Sequence, residues 1–211
     1  MGVKAVVEAI HESPQEGDVD GLRLGLPWEE ESKVETLAEM CGLKVVGMIY
    51  TELTPDTSDD EKKKLGKVLP KRHKDSYFLS SLETLFAAQQ ARKRPNSSRF
   101  SDSGKFSSKF VTCVVTGDME GNVAVEAYQV SDQAMAMVEA DMVEPSVDPG
   151  VVRIKEDTSG DKDPTKKRYI PDVFYTYKNQ YNLQVKESAK PCFPTDYLLV
   201  SVGSLSRACE Y

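Results

Sequence analysis

Glu83 is the residue most readily given chemistry. In YFLSSLE (77–83) its carboxylate follows a strand-like stretch and opens a helix, a place from which it could exchange a proton with a substrate. The same position has a plainer use. Ser80 stands where a helix N-cap would, and Glu83 falls three residues on, the spacing of a capping box. Histidine is scarce: His11 and His73 lack a partner at metal-ligand spacing such as H-x-H or H-E-x-x-H. Cys41, Cys113, Cys192 and Cys209 are widely separated, form no C-x-x-C pair, and have no neighbours that would activate a thiol. The G-x-S-x-G elbow, the G-x-x-x-x-G-K phosphate loop and a G-x-G-x-x-G after a strand do not occur. Catalysis finds little support in these residues.

The elements that would position them follow from periodicity. KAVVEAIHE alternates apolar and polar residues from Val3, as a half-buried strand does, and a Pro/Gly-rich stretch (13–27) follows. In EEESKVETLAEMCG, Val34, Leu37, Ala38 and Cys41 fall at helical spacing, with acids in the first turn and Gly42 as the stop. LKVVGMIYTEL then reads as a central strand. Residues 54–76 are charged and nearly aperiodic, the composition of a mobile excursion. SSLETLFAAQQARKR makes a helix capped by Ser80. KFVTCVVTG and NVAVEAYQV form a hairpin, and SDQAMAMVEADM is a helix capped by Ser131. Residues 146–168 read as loop around VVRIKE, before strands in YIPDVFYTY and DYLLVSV. The fold class is α+β: a mixed sheet flanked by about three helices, with long polar insertions.

Composition narrows the function classes. The chain has 211 residues, of which 39% are hydrophobic and 29% charged, so it can bury a core. Acids outnumber bases 34 to 27, for a net charge of -7, which argues against a general nucleic-acid binder. The basic clusters Lys62–Lys64, Lys71–Lys74 and Arg92–Arg94 sit beside acids or at a helix end and read as solvated surface. With no apolar run of membrane-spanning length, no signal-peptide pattern and isolated cysteines, the expected compartment is intracellular. Cys41 and Cys113 read as small core residues. Met135, Met137 and Met142 read as core filling. The aromatic run YIPDVFYTYKNQY fits either a groove for extended peptide or a sheet edge, and the sequence does not choose between them.

VVGMIYTEL resembles the segment VVGWYHSHP of MPN (JAMM) domains, and FLSSLE resembles the S-x-x-D that ends the same motif at a helix start. MPN domains are cytidine-deaminase-like α/β modules, and their catalytic members are zinc-dependent deubiquitinases. Position by position, Tyr50 and Glu52 stand where the zinc-binding histidines would be, Glu83 where the zinc-binding Asp would be, and Ser80 matches the motif serine. A phenol is a poor zinc ligand and no histidine remains, so the resemblance implies the MPN fold without its metal or its hydrolysis. KDSYFLSS, SSKFVTCVVTGD, AYQVSDQAMAMV and YIPDVFY are in turn similar to the MPN domain of the nuclear protein localization protein four family.

That resemblance implies a non-enzyme without cofactor. It would bind ubiquitin or ubiquitin chains, pair with the ubiquitin fusion degradation one protein, and serve the valosin-containing-protein AAA ATPase through regions outside this chain. It implies ubiquitin-dependent degradation, including that of endoplasmic-reticulum clients, together with nuclear protein import and mRNA export. The implied location is cytoplasm and nucleus, peripheral at the endoplasmic reticulum and nuclear envelope, with neither direct nucleic-acid contact nor membrane insertion. On this reading residues 1–202 form an MPN domain short of its first strands, 54–76 a flexible charged insertion, and 203–211 an atypical tail. The expected ubiquitin groove involves Tyr50, Leu53, Tyr77, Phe78, Leu79 and Ser80. Two alternatives stand beside it: an isopeptidase whose unconventional metal site joins Glu52, Glu83 and His73, and a purely architectural MPN subunit.

Overall fold

The structure, a computed structural model of the chain, describes residues 31–163 and 167–204. The strand expected from Val3, His11, the Pro/Gly-rich stretch, Cys209 and the end of the 203–211 tail lie outside the described residues. The chain divides after Val45 into two units. Of the first, helix α1 (Glu31–Met40) is described. It ends as its sequence predicts: Gly42 takes φ +70°, Gly42 N–H donates to the Glu39 carbonyl and Leu43 N–H to that of Ala38, a Schellman closure that suits glycine. Cys41 is exposed and Cys113 half-buried, so neither is buried in the core as expected; Cys41 sits one residue past the end of α1.

The second unit runs β1 (Gly47–Thr51), α2 (Asp60–Lys64), α3 (Ser81–Lys93), β2 (Asn96–Ser97), β3 (Lys105–Phe106), β4 (Val111–Gly117), β5 (Val123–Val130) and α4 (Asp132–Glu139). It continues with β6 (Val143–Pro145), β7 (Val151–Ile154), β8 (Phe174–Lys178), β9 (Gln184–Ser188), β10 (Cys192–Pro194), a 3-10 turn (Thr195–Leu198) and β11 (Leu199–Ser204). The main sheet has the order β1-β4-β5-β11, with β1 parallel to β4 and the other pairs antiparallel. The expected mixed sheet and α+β class are therefore present. Alternation along the strands divides its two faces. Tyr50, Thr112, Val114 and Tyr128 are buried on one face, while on the other Ile49 and Val200 are 50% and 52% exposed.

Helix α3 packs on the buried face and against α4. Ser131 caps α4 by accepting from Ala134 N–H, and Met135, Met137 and Met142 are buried, so the methionines fill the core. Met137 and Met142 share a cluster with Leu85, Val152, Ile154, Phe193 and Leu198, and Met135 packs with Ala91 and Phe110. VVRIKE, read as loop, contains β7, the middle strand of a small sheet β10-β7-β6. Val152 and Ile154 point inward while Arg153 points out, an alternation too short to stand out in the sequence. The aromatic run lies in the separate hairpin β8–β9, where Tyr175 packs on Phe193 and Tyr197.

The 54–76 excursion differs most from its composition. It doubles back on itself, with Leu69 N–H donating to the Thr54 carbonyl and Asp56 N–H to that of Lys67, and its tip is the short helix α2. Val68 N–H donates to the Gly121 carbonyl and Lys67 Nζ to Asn122 Oδ1 at 2.7 Å, which fastens it to the β4–β5 turn. Val68 and Arg72 are buried. Charged residues crowd its outer surface, and these few inward contacts are what hold it. The approach requires a glycine: a Cβ on Gly117 would stand 2.6 Å from the Leu69 carbonyl oxygen and 2.8 Å from Val68 Cγ2. Gly117→Ala should cost about 1–3 kcal/mol through overpacking and loosen this attachment. Limited trypsin digestion should cut the variant sooner among Lys62–Lys64; equal cleavage rates would show that the excursion does not depend on this contact.

Candidate functional site

Three elements meet at one buried cluster: the end of β1 supplies Tyr50 and Glu52, the excursion supplies Arg72, and the first turn of α3 supplies Glu83. The β1 pairing with β4 sets Tyr50 opposite Val114 and therefore on the buried face; Glu52 continues the strand, its N–H donating to the Val115 carbonyl. Helix α3 starts as the sequence predicts. Ser80 Oγ accepts from Glu83 N–H, and Glu83 Oε2 accepts from Ser80 N–H at 2.8 Å, completing the capping box.

The cap leaves Glu83 with a second task. Arg72 Nη2 donates to Glu83 Oε1 at 2.7 Å and Nη1 to Oε2 at 2.9 Å, a planar fork on a planar carboxylate. Nη1 also donates to the Phe78 carbonyl at 2.6 Å, and Nη2 forms an ion pair with Glu52. Lys71 Nζ lies 3.9 Å from the other Glu52 oxygen. The guanidinium stands 6.0 Å from the Tyr50 ring centre and 5.6 Å from that of Tyr77, within cation–π range. Arg72 is 4% exposed and Glu83 2%, so the pair is withdrawn from water. Ion pairs so placed matter chiefly through the cost of breaking them.

Protonation follows from the geometry. Burial pushes the Glu83 pKa up, but the hydrogen bonds and charge of Arg72, joined by the Ser80 cap, outweigh it and hold the carboxyl below its ordinary value. Burial opposes the Arg72 charge, and the Glu83 carboxylate more than offsets it. Burial, aided by Glu83, raises the Tyr50 phenol far above its ordinary range, so it stays neutral.

Tyr50, Glu52 and Glu83, the positions to which the resemblance would assign metal ligands, come together around a guanidinium. These residues do not fit a zinc ion: both carboxylates are engaged by Arg72, the phenol is held neutral, and no imidazole joins them. His73 faces its own turn, its Nδ1 accepting from Asp75 N–H at 3.3 Å, and does not converge with Glu52 and Glu83. Among the described residues no three His, Cys, Asp or Glu side chains form a metal-holding group. Of the expected groove residues, Tyr50 and Leu79 are buried and belong to the core; Ser80 is the cap. Leu53, 44% exposed, with partly exposed Tyr77 and Phe78, reaches the surface.

Arg72 is the residue that sequence reasoning missed, because Lys71–Lys74 reads as a solvated basic patch. The available signal was indirect. Two acids brought to one buried place need a cation, and the segment between them is rich in candidates.

A protein-family model, that of the NPL4 family, matches residues 1–207. The chain belongs to the NPL4 family. Three yeast relatives, each called Nuclear protein localization protein 4, show the extent of the likeness. The one from Debaryomyces hansenii is 50% identical over 203 residues, covering 96% of this chain and 34% of the relative. That from Scheffersomyces stipitis is 48% identical, covering 96% and 33%, and that from Saccharomyces cerevisiae 45% identical, covering 96% and 33%. This NPL4-family chain therefore spans about a third of the length of the curated relatives it matches. Among its described residues no helix is long and apolar enough to cross a membrane.

Two outcomes are expected of the Arg72 cluster. Arg72→Met should lower the unfolding free energy by about 3–5 kcal/mol, because the buried Glu83 and the partly buried Glu52 carboxylates lose their cation. Arg72→Lys should recover only part of it, since an ammonium cannot form the fork. Urea denaturation measures both, and a loss under about 1 kcal/mol in Arg72→Met would match only an exposed pair. The lowered Glu83 pKa means that its stabilisation is full above the ordinary carboxylate range and is lost as pH falls through the folded value. Wild-type stability should accordingly decline more between neutral and acid pH than that of Glu83→Gln.

Proposed function

We propose that this chain is a catalytically inert MPN-type module that holds ubiquitin-derived segments for an AAA ATPase cofactor. The observation that carries the reading is the Arg72 guanidinium seated among Tyr50, Glu52 and Glu83, at the positions where the resemblance to MPN domains would put a metal. A site so filled has lost the means to acidify a water. The surrounding surface still suits an extended chain, which is recognised by main-chain hydrogen bonds and side-chain pockets and needs no metal. Leu53, Tyr77 and Phe78 border that surface.

Family membership supports the wider setting. The relatives' name points to nuclear protein localization, and the resemblance points to a heterodimer with the ubiquitin fusion degradation one protein. Docking on the valosin-containing-protein ATPase would use parts of the relatives that this chain does not span. Ubiquitin-dependent degradation, including that of endoplasmic-reticulum clients, is the process proposed, in cytoplasm and nucleus. An isopeptidase is disfavoured because Arg72 takes the charge role of the metal.

Retention of unanchored ubiquitin chains by the immobilised chain tests the reading. The double variant Leu53→Ser/Phe78→Ser, altered at surface positions, should lose at least about tenfold in affinity, as expected for truncating central apolar contacts. Undiminished retention, or turnover of a diubiquitin by the wild-type chain in the presence of zinc, would contradict it.

A further inference from the structure

Beside Phe78, where the segment leading into α3 meets strands β5 and β11, the surface sinks into a cleft of about 300 Å³. Its walls are aromatic and aliphatic. The Phe78 and Tyr128 rings lie 6.2 Å apart, tilted 40° to one another, and Leu199 completes the apolar lining. Its polar groups include two acids: Glu126 on β5 and Asp196 on the 3-10 turn, with the Ser201 hydroxyl nearby. Among the described residues no lysine, arginine or histidine lines it.

The two acids are in different states. The Tyr128 hydroxyl donates to Glu126 Oε2, which fixes that carboxylate at the wall. Asp196, exposed at the mouth of the cleft, has no side-chain hydrogen bond or ion pair among the described residues, and its partial desolvation there pushes its pKa up. The cleft is small for a drug-sized ligand but suits one long side chain. A lysine or arginine would lay its methylene stem along Phe78, Tyr128 and Leu199 and bring its charge to Glu126 and Asp196.

We propose that this cleft is a subsite for one lysine or arginine side chain of the extended segment held on this face. The inference rests on the reading of that face as a segment-binding groove and adds a specificity to it. Arg72 is a positioning residue here: its bond to the Phe78 carbonyl fixes the ring that forms one wall. The charge of the chain agrees, since a net -7 surface favours a basic segment over an acidic one.

Two probes separate the subsite from the ubiquitin reading. The first is a pair of extended fluorescent peptides, identical except for lysine or norleucine at the central position. The second is chemically unfolded ubiquitin. Each is titrated against the 211-residue chain and against Glu126→Gln/Asp196→Asn, which keeps shape and removes charge. The lysine peptide should bind the wild-type chain about tenfold more tightly than its norleucine twin, a preference that high salt weakens and the double variant abolishes. Equal binding of the two peptides, or a lysine preference that survives in a folded double variant, would overturn the subsite. If the variant does not fold, NMR of the wild-type chain decides: the lysine peptide at millimolar concentration must shift the Phe78 and Tyr128 signals more than the norleucine peptide, and unmoved signals overturn the proposal. Lysine preference without any binding of unfolded ubiquitin would leave the subsite standing and remove ubiquitin as its source.

Discussion

The Arg72 guanidinium joins parts of the chain that have no other reason to meet. Glu52 arrives on a strand and Glu83 on the first turn of a helix, and both carboxylates turn toward one buried place. Two such groups cannot both stay ionised side by side without a counter-charge; one would take up a proton. Arg72 supplies the charge and, through its fork, the direction as well. With Lys71 beside Glu52 the cluster balances two negative charges with two positive ones. That is the charge a divalent metal would bring, but a guanidinium offers no exchangeable position at which a water could be bound and activated.

What surrounds Arg72 follows from holding it there. The excursion must fold back on itself to deliver the side chain, and Gly117 leaves the room for its backbone to pass. The bond to the Phe78 carbonyl sets the strand-like segment that leads into helix α3, and the capping box then shares Glu83 between the helix end and the ion pair. Phe78 in turn stands against Tyr128 at the lip of the acidic cleft. A buried charge is thereby connected, through one carbonyl and one ring, to an acidic cleft at the surface.

Much of this was legible in the sequence, and the rest fails for identifiable reasons. The Ser80–Glu83 spacing predicts the cap, Gly42 the stop of α1, and the methionines of α4 the core, because each depends on local geometry or on a period the chain repeats. The strand in VVRIKE is too short to show its alternation above its polar flanks. Arg72 is hidden for a different reason: its environment is made by Glu52, twenty residues before it, and Glu83, eleven after, while its sequence neighbours Lys71, His73 and Lys74 read as a solvated basic patch. The motif places Tyr50 and Leu79 at the groove, but strand alternation turns Tyr50 inward and Leu79 is fully buried. The family was recognisable from ordered segments; which side chains remain on the surface was not.

A buried, forked Arg72 stands among the residues to which the resemblance would assign a metal. Nitrogen-15 NMR of the arginine guanidinium groups, with Arg72→Lys to assign the signal, tests this arrangement most directly. A guanidinium locked on two carboxylates and a carbonyl cannot turn freely about its Cζ–Nε bond, so Arg72 should show separate, slowly exchanging Nη signals that persist when the mobile surface arginines have averaged. A single averaged Arg72 signal, exchanging with water as fast as those of the surface arginines, would contradict the account.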